Sequence, residues 1–204
     1  DAVFPPRCAG CRTWAEALFC RNCQVQLRWL RDQLCACCGR EFDALAQVMS
    51  VSICADCREN RYHSAPKIDM RRAPLEYSGP IREAIHAFKY RGQTALAAQL
   101  AALLWEYSQR ESGAAIPFET LDCIIPIPLH PLRRWRRGYN QSALLAKELS
   151  ALSSIPCSEL LRRTRHTQPQ IELDSIHRAA NVRGAFAIAP RVGREYSQPE
   201  SVLL

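Results

Sequence analysis

Eight of the chain's 11 cysteines fall into four pairs of one spacing: Cys8/Cys11, Cys20/Cys23, Cys35/Cys38 and Cys54/Cys57. A C-x2-C turn brings two sulfurs to one side of the backbone, so a tetrahedral ion takes both and two more from a second turn. Four turns therefore supply two complete four-thiolate sites, and the ion that suits this donor set is zinc. Four thiolates leave no open position for water or substrate, so such ions fold the chain rather than act on anything. Two other uses of the same cysteines stand beside this one: a disulfide framework, which needs an oxidising compartment, and redox or iron–sulfur chemistry. The simplest pairing puts Cys8, Cys11, Cys20 and Cys23 on one ion and Cys35, Cys38, Cys54 and Cys57 on the other, and an interleaved pairing meets the same donor count. Cys37 is left over, and the distant Cys123 and Cys157 read as small buried side chains.

The second group of chemically suggestive residues is basic. Of the 27 Lys and Arg, ten lie in residues 130–183, with only four of the 20 Asp and Glu, so most of the formal charge of +7 belongs to that segment. Two four-thiolate zinc sites would lower the total to about +3, which weakens a general nucleic-acid-coating reading but leaves the local cluster. Its centre is His130-Pro131-Leu132-Arg133-Arg134-Trp135-Arg136-Arg137-Gly138-Tyr139-Asn140-Gln141. Three readings fit it: a phosphate-binding loop at a helix start, a nucleic-acid patch with Trp135 and Tyr139 as stacking residues, and a solvated arginine-rich turn. Further on, a long polar loop rich in arginine runs between strand-like ends and suits a cover over an anionic ligand. His166 and His177 in that region read as surface residues rather than catalysts.

The elements that must position these groups follow from periodicity. Leu121 to Pro128 is an apolar run consistent with a buried parallel strand, ended by Pro126 and Pro128. The basic loop follows it, then a helix through about Ser150. Upstream, Met70 to Tyr77 reads as a short strand. Ile81, Ala84, Ile85 and Phe88 recur at helical spacing up to Arg91-Gly92. A second helix from Thr94 carries Leu96, Leu100, Leu103, Leu104 and Tyr107 on one face and is expected to end near Ser112-Gly113. The fold class is α/β, in two unequal domains: a double zinc-ribbon over 1–62 and a larger domain over 63–204. No stretch approaches the roughly 20 apolar residues of a spanning helix, and the first residues lack the pattern of a secretory signal, so a cytoplasmic protein is expected.

Taken in order, these features resemble the ComF/GntX family of competence-related, phosphoribosyltransferase-like proteins. The resemblance rests on the double zinc-ribbon and on Phe88-Lys89-Tyr90-Arg91-Gly92. It rests also on Ile125-Pro126-Ile127-Pro128-Leu129-His130-Pro131, Arg136 through Ser142, Arg163 through Gln170 and Arg178 through Phe186. It implies a type I phosphoribosyltransferase domain, a mostly parallel sheet with flanking helices, that uses phosphoribosyl pyrophosphate with Mg²⁺. By that resemblance Leu129, Arg137, Gly138, Tyr139, Asn140 and Gln141 belong to the pyrophosphate loop, and Arg163, Arg165, Thr167 and Gln168 to a flexible hood. Arg137 and Arg165 are then the candidates for stabilising the departing pyrophosphate, and no catalytic base is nominated. The family's association with natural transformation implies single-stranded DNA or a transformation helicase as partner, through a DNA-binding or protein-docking role of the ribbons and basic loop. One feature departs from the family pattern. There, an apolar strand leads into two acidic residues and a Thr/Gly-rich turn that hold the ribose and its phosphate, whereas this chain ends at Ser201-Val202-Leu203-Leu204. Those residues resemble the start of that strand, and the domain is accordingly expected to be incomplete at its C-terminus and not an efficient transferase.

Overall fold

The computed structural model describes residues 6–30, 33–42, 52–59, 69–110, 116–168, 173–190 and 199–204. The expected domain boundary at 62/63 and the expected helix end at Ser112-Gly113 lie outside them. Two units divide the chain: Asp1–Ala87 with Ala102–Pro117, and Phe88–Ala101 with Phe118–Leu204.

In the first unit the paired cysteines build the same local structure twice. Cys8 N–H donates to Thr13 O at 2.8 Å and Cys35 N–H to Arg40 O at 2.9 Å. The residue before each of these cysteines makes an antiparallel bridge, Arg7 with Trp14 and Leu34 with Glu41. The second pair of each set opens a single helical turn, α1 (Arg21–Gln24) after Cys20 and α2 (Ala55–Arg58) after Cys54. Helices this short are not stable by themselves, so the sulfur-lined corner must hold them. Met70 to Tyr77, expected as a strand, forms a single isolated bridge, Trp29–Leu75, with Leu30 N–H to Pro74 O and Glu76 N–H to Arg28 O on either side, and Arg71 N–H donates to Cys37 O at 2.9 Å. Pro74 has no N–H to continue a ladder. Arg28 pairs with Glu41 at 2.9 Å and also with Glu76, and Arg40 pairs with Asp56 at 2.6 Å. Leu34, Tyr107 and Leu30 pack together, and the Arg110 guanidinium lies 4.4 Å from the centre of the Trp29 ring.

Helices α3 (Gly79–Tyr90) and α4 (Leu96–Ser108) fall partly in each unit. Pro80 suits the first turn of α3, where its missing N–H costs nothing. The apolar stripe is seen as Ile81, Ala84, Ala87 and Phe88, all buried, with Ile85 half-buried. On α4 the buried side is Leu96, Ala97, Leu100, Ala101 and Tyr107, while Leu103 and Leu104 are half-buried.

In the second unit a 3-10 turn (Phe118–Thr120) leads to β1 (Cys123–Ile124), which pairs in parallel with β4 (Val202–Leu203). On its other side Ile124 forms a parallel bridge with Cys157. Cys123, Ile124 and Ile125 are buried, as a strand flanked on both sides requires, and the ladder stops before Pro126. Burying a side chain such as Ile124 contributes roughly 1.5–3 kcal/mol. The Asp122 carboxylate accepts from Glu200 N–H at 2.8 Å and Ser201 N–H at 3.0 Å, fixing the entry to β4. Residues read from sequence as a basic loop instead hold a two-turn helix, α5 (Pro131–Arg137), which ends at Gly138 in the left-handed conformation (φ 83°). α6 (Gln141–Ser153) follows, capped by Asn140. A separate antiparallel pair joins β2 (Leu161–Arg163) to β3 (Phe186–Ile188), with α7 (Ser175–Val182) between them in sequence. The structure is thus a mixture of helix and strand with one small parallel sheet among the described residues.

Candidate metal centres and anion site

Both cysteine sets converge, and they do so in the adjacent pairing. The sulfurs of Cys8, Cys11, Cys20 and Cys23 lie within 4.8 Å of one another, as do those of Cys35, Cys38, Cys54 and Cys57. Cys11 and Cys20 sulfurs are 3.6 Å apart, Cys38 and Cys54 sulfurs 3.7 Å. Zinc–sulfur bonds of about 2.3 Å in a tetrahedron put sulfurs about 3.8 Å apart, so both sets fit a zinc ion. Backbone N–H groups prepare the sulfurs for charge: Cys20 N–H points to Cys8 Sγ at 3.3 Å and Cys54 N–H to Cys35 Sγ at 3.4 Å. The Thr13 hydroxyl and N–H bring the Cys11 thiol down to about 6. Burial works against ionisation at Cys35, yet the N–H groups of Cys54, Cys38 and Cys37 outweigh it and bring that thiol to about 6. Cys23 and Cys57 go the other way, pushed up by burial and then by their neighbouring thiols. Four sulfurs so close cannot all ionise without a cation between them, and a bound divalent ion removes that conflict.

The residues read as an anion-binding loop are placed as follows. Leu129 is half-buried at the end of the run that follows β1. Arg137 donates to Gln141 Oε1, and its guanidinium lies 5.0 Å from the centre of the Tyr90 ring. Tyr139 donates its hydroxyl to Phe88 O and packs its ring 6.3 Å from that of Phe88. Asn140, buried, donates to Ile127 O at 3.1 Å and accepts from Ser142 N–H at 3.2 Å, tying the segment after β1 to the start of α6. Gly138 provides the left-handed turn between α5 and that cap.

Of the hood residues, Arg163 donates to Thr167 Oγ1 and lies 5.3 Å from the centre of the Phe186 ring. Arg165 donates to Asn181 O at 3.2 Å and Arg183 O at 2.7 Å. Gln168 and Asn181 exchange two hydrogen bonds, backbone to side chain in both directions. The loop and hood segments meet: Arg133 Nη2 donates to the Thr167 carbonyl at 2.6 Å.

Three further residues take part. Lys89 sits close enough to Arg137 that burial, and then that guanidinium, lower its proton affinity. Arg133 joins the two segments, and His130 meets His166 edge-on. Lys89 lies in Phe88-Lys89-Tyr90-Arg91-Gly92 and His130 and Arg133 in the basic run, segments already singled out in the sequence, but their partners depend on contacts between distant residues.

α5 has two sides. At 100° per residue, Arg133 and Arg137 share one side, both half-buried with internal partners. Leu132 and Trp135 share the other, flanked by Arg134 and Arg136, and Trp135 is 80% exposed.

Comparison with known proteins gives these features a family. Residues 1–60 match the family described as the double zinc ribbon domain. Competence protein F of Haemophilus influenzae is 32% identical over 190 residues, covering 91% of this chain and 78% of that protein. DNA utilization protein YhgH of Escherichia coli K12 is 29% identical over 185 residues, covering 83% of this chain and 77% of that protein. Competence protein ComFC of Bacillus subtilis is 27% identical over 143 residues, covering 69% and 55%. The chain belongs to the competence protein F family, with ComFC and YhgH among its relatives. No solved structure matches it. No helix among the described residues is long and apolar enough to cross a membrane.

Proposed function

We propose that this protein serves DNA uptake or utilisation, in keeping with the competence and DNA utilization named for its relatives, and that residues 63–204 form a phosphoribosyltransferase-like domain binding phosphoribosyl pyrophosphate. The observation that carries this reading is the Lys89–Arg137 pair. Burial, and then the Arg137 charge, lower the proton affinity of Lys89, while Gln141 and the Tyr90 ring orient the Arg137 guanidinium beside the loop that follows β1. Like charges held together are unfavourable until an anion joins them, and a pyrophosphate group supplies several oxygens. Leu129 and Gly138 to Gln141 shape the loop around it, while Arg163, Arg165, Thr167 and Gln168 form the covering segment. Mg²⁺ would enter with the pyrophosphate and share its charge. In a transfer step these groups would hold the pyrophosphate as it departs from the ribose, with Arg137 and Arg165 stabilising its charge. The two zinc ions fold the cysteine ribbons.

Calorimetric titration of the zinc-loaded chain with phosphoribosyl pyrophosphate and Mg²⁺ tests this reading. Saturable binding that Arg137→Gln weakens by at least about tenfold is expected. A folded chain showing no saturable heat would refute it.

A second reading, single-stranded DNA binding, is favoured by one separate observation: Trp135 is 80% exposed between Arg134 and Arg136 on the outer side of α5. An aromatic face flanked by arginines suits base stacking with phosphate contacts. Oligonucleotide affinity that falls steeply with salt, and falls again in Trp135→Ala, is expected on this reading.

A further inference from the structure

The segment that leads into α3 meets the ribbon at the same place in each half. Counted from the first cysteine of each set, Gly10 and Cys37 are equivalent, each the third residue of its C-x2-C turn. Arg71 N–H donates to Cys37 O at 2.9 Å. Gly10 meets the other end of the segment. A Cβ there would lie 2.8 Å from Pro80 Cβ and 3.0 Å from Cys23 Sγ, so Pro80 rests where a side chain would stand. Between these ends Leu30 N–H donates to Pro74 O and Glu76 N–H to Arg28 O. Pro74, Leu75 and Pro80 are buried, and Arg71 and Arg72 half-buried. Residues 71–80 are thus fastened beside both cysteine sets.

At the second set the fastening reaches a sulfur through two peptide groups. The N–H groups of Cys37 and Cys38 face Cys35 Sγ. A trans peptide points its C=O away from its N–H, so the carbonyls of those same two peptides, Ala36 O and Cys37 O, face outward and need donors. Arg72 Nη1 donates to Ala36 O at 3.1 Å and to Cys35 O at 3.2 Å, and Arg71 N–H serves Cys37 O. Arg72 Nη1 also donates to Arg71 O at 2.9 Å, which closes the corner between them. Arg71 and Arg72 therefore hold from outside the two peptides that serve the sulfur from inside.

We propose that residues 71–80 form a zinc-governed strap, its Arg71–Arg72 end held by the second metal centre and its Pro80 end by the first, and that Arg72 is a positioning residue of the second centre. A turn wrapped around an ion keeps Ala36 O and Cys37 O aimed at the strap. A turn whose sulfurs have lost the ion is free to change shape, and the strap then loses its acceptors. The coupling is reciprocal, so whatever zinc contributes to the strap the strap contributes to zinc binding. This inference goes beyond the transferase and DNA readings and rests on neither.

Amide hydrogen exchange on the zinc-loaded full chain tests the strap. The parent is compared with Cys57→Ser, which disables the second set, and with Cys23→Ser, which disables the first. Exchange at Arg71 should be at least about tenfold faster than in the parent in Cys57→Ser, and within about threefold of it in Cys23→Ser. The opposite pattern is expected at Glu83, whose N–H makes the first hydrogen bond within α3. Acceleration of both ends in both variants, or of neither end in either, would overturn the strap.

Should either serine variant lose its helical circular dichroism, the reciprocal arm decides, since it leaves all eight ligands in place. Arg72→Gln should release one zinc ion to a colorimetric chelator at least about tenfold faster than the parent, and the other within about twofold of the parent rate. N-ethylmaleimide present during release, read by mass spectrometry, should mark Cys35, Cys38, Cys54 and Cys57 first. Arg82→Gln removes the same charge from an exposed position on α3 and should change neither rate. Arg72→Lys keeps a cationic donor and should bring the faster ion back to within about threefold of the parent. Equal acceleration of both ions, early labelling of the first set, the same effect from Arg82→Gln, or no recovery in Arg72→Lys would each overturn the role of Arg72.

Discussion

Arg12 and Gly39 occupy the same place in the two halves of the zinc-ribbon. Each lies four residues beyond the first cysteine of its set, and each returns its N–H to that cysteine's carbonyl, Arg12 to Cys8 at 2.9 Å and Gly39 to Cys35 at 3.0 Å. Both have positive φ, 67° and 69°. The repeat is therefore one of backbone conformation, and the two halves meet its steric demand differently.

The left-handed conformation costs a residue with a Cβ roughly 1–2 kcal/mol, part of which glycine gives back as added freedom of the unfolded chain. Arg12→Gly should accordingly stabilise the zinc-loaded protein by about 0.5 kcal/mol in urea unfolding. Gly39→Ala should do the opposite and more strongly. Its Cβ would lie 2.3 Å from the Arg71 carbonyl oxygen, a backbone atom that cannot rotate away. A loss of at least about 2 kcal/mol is expected, with weaker zinc retention at the second site.

Metal analysis should find two zinc ions per chain, one for each sulfur cluster, and about one in Cys57→Ser. The pH dependence follows from the lowered thiols. Cys11 and Cys35 titrate at about 6, below the ordinary value of 9.0. Groups depressed in this way favour the folded state above their unfolded pKa, and that contribution is lost as pH falls through the folded value. Zinc retention, followed by a colorimetric chelator, should be complete at neutral pH and decline below about pH 6.

Asp122 gives a prediction for the parallel sheet. Its carboxylate is held below the usual range by the N–H groups of Ser201 and then Glu200. That support for β4 is present above the ordinary carboxylate pKa and disappears as pH falls through the depressed one. Asp122→Ala should therefore accelerate amide hydrogen exchange at Val202 to Leu204 at neutral pH. It should also remove the acid-induced loss of exchange protection expected there in the parent chain.

How much of this was legible depends on how local the physics is. The cysteine turns could be read because ligand spacing within a C-x2-C turn needs no distant partner, and the observed adjacent pairing is the arrangement sequence favoured as simplest. The buried strand at Cys123 to Ile125 was legible in its apolar run and its two prolines. Its partner Val202–Leu203 was marked only as strand-like. α5 was read as a loop although its signals were present: His130 as cap, Pro131 in the first turn and Gly138 after the end. The run of arginines drew attention to charge, and seven residues gave too little apolar periodicity to mark a helix. Arg133 and Thr167 are 34 residues apart, and nothing in either neighbourhood announces their hydrogen bond.

Tyr139 and Trp135 test how α5 and its exit divide their work. Both were read from sequence as possible stacking residues, but the Tyr139 hydroxyl is bonded to Phe88 O while Trp135 is 80% exposed. Tyr139→Phe keeps the ring packing and loses that hydrogen bond, so it should cost about 1 kcal/mol of stability. Trp135→Ala removes a side chain with little to pack against and should change stability by less than about 0.5 kcal/mol. In single-stranded oligonucleotide binding the order should reverse. Trp135→Ala should lower affinity several-fold through the loss of one stacked base, worth about 1–3 kcal/mol, while Tyr139→Phe leaves it unchanged. Fluorescence titration of both variants at two salt concentrations measures this. Unchanged affinity in Trp135→Ala would remove the outer side of α5 from any DNA contact and leave the inner arginines as the site that matters.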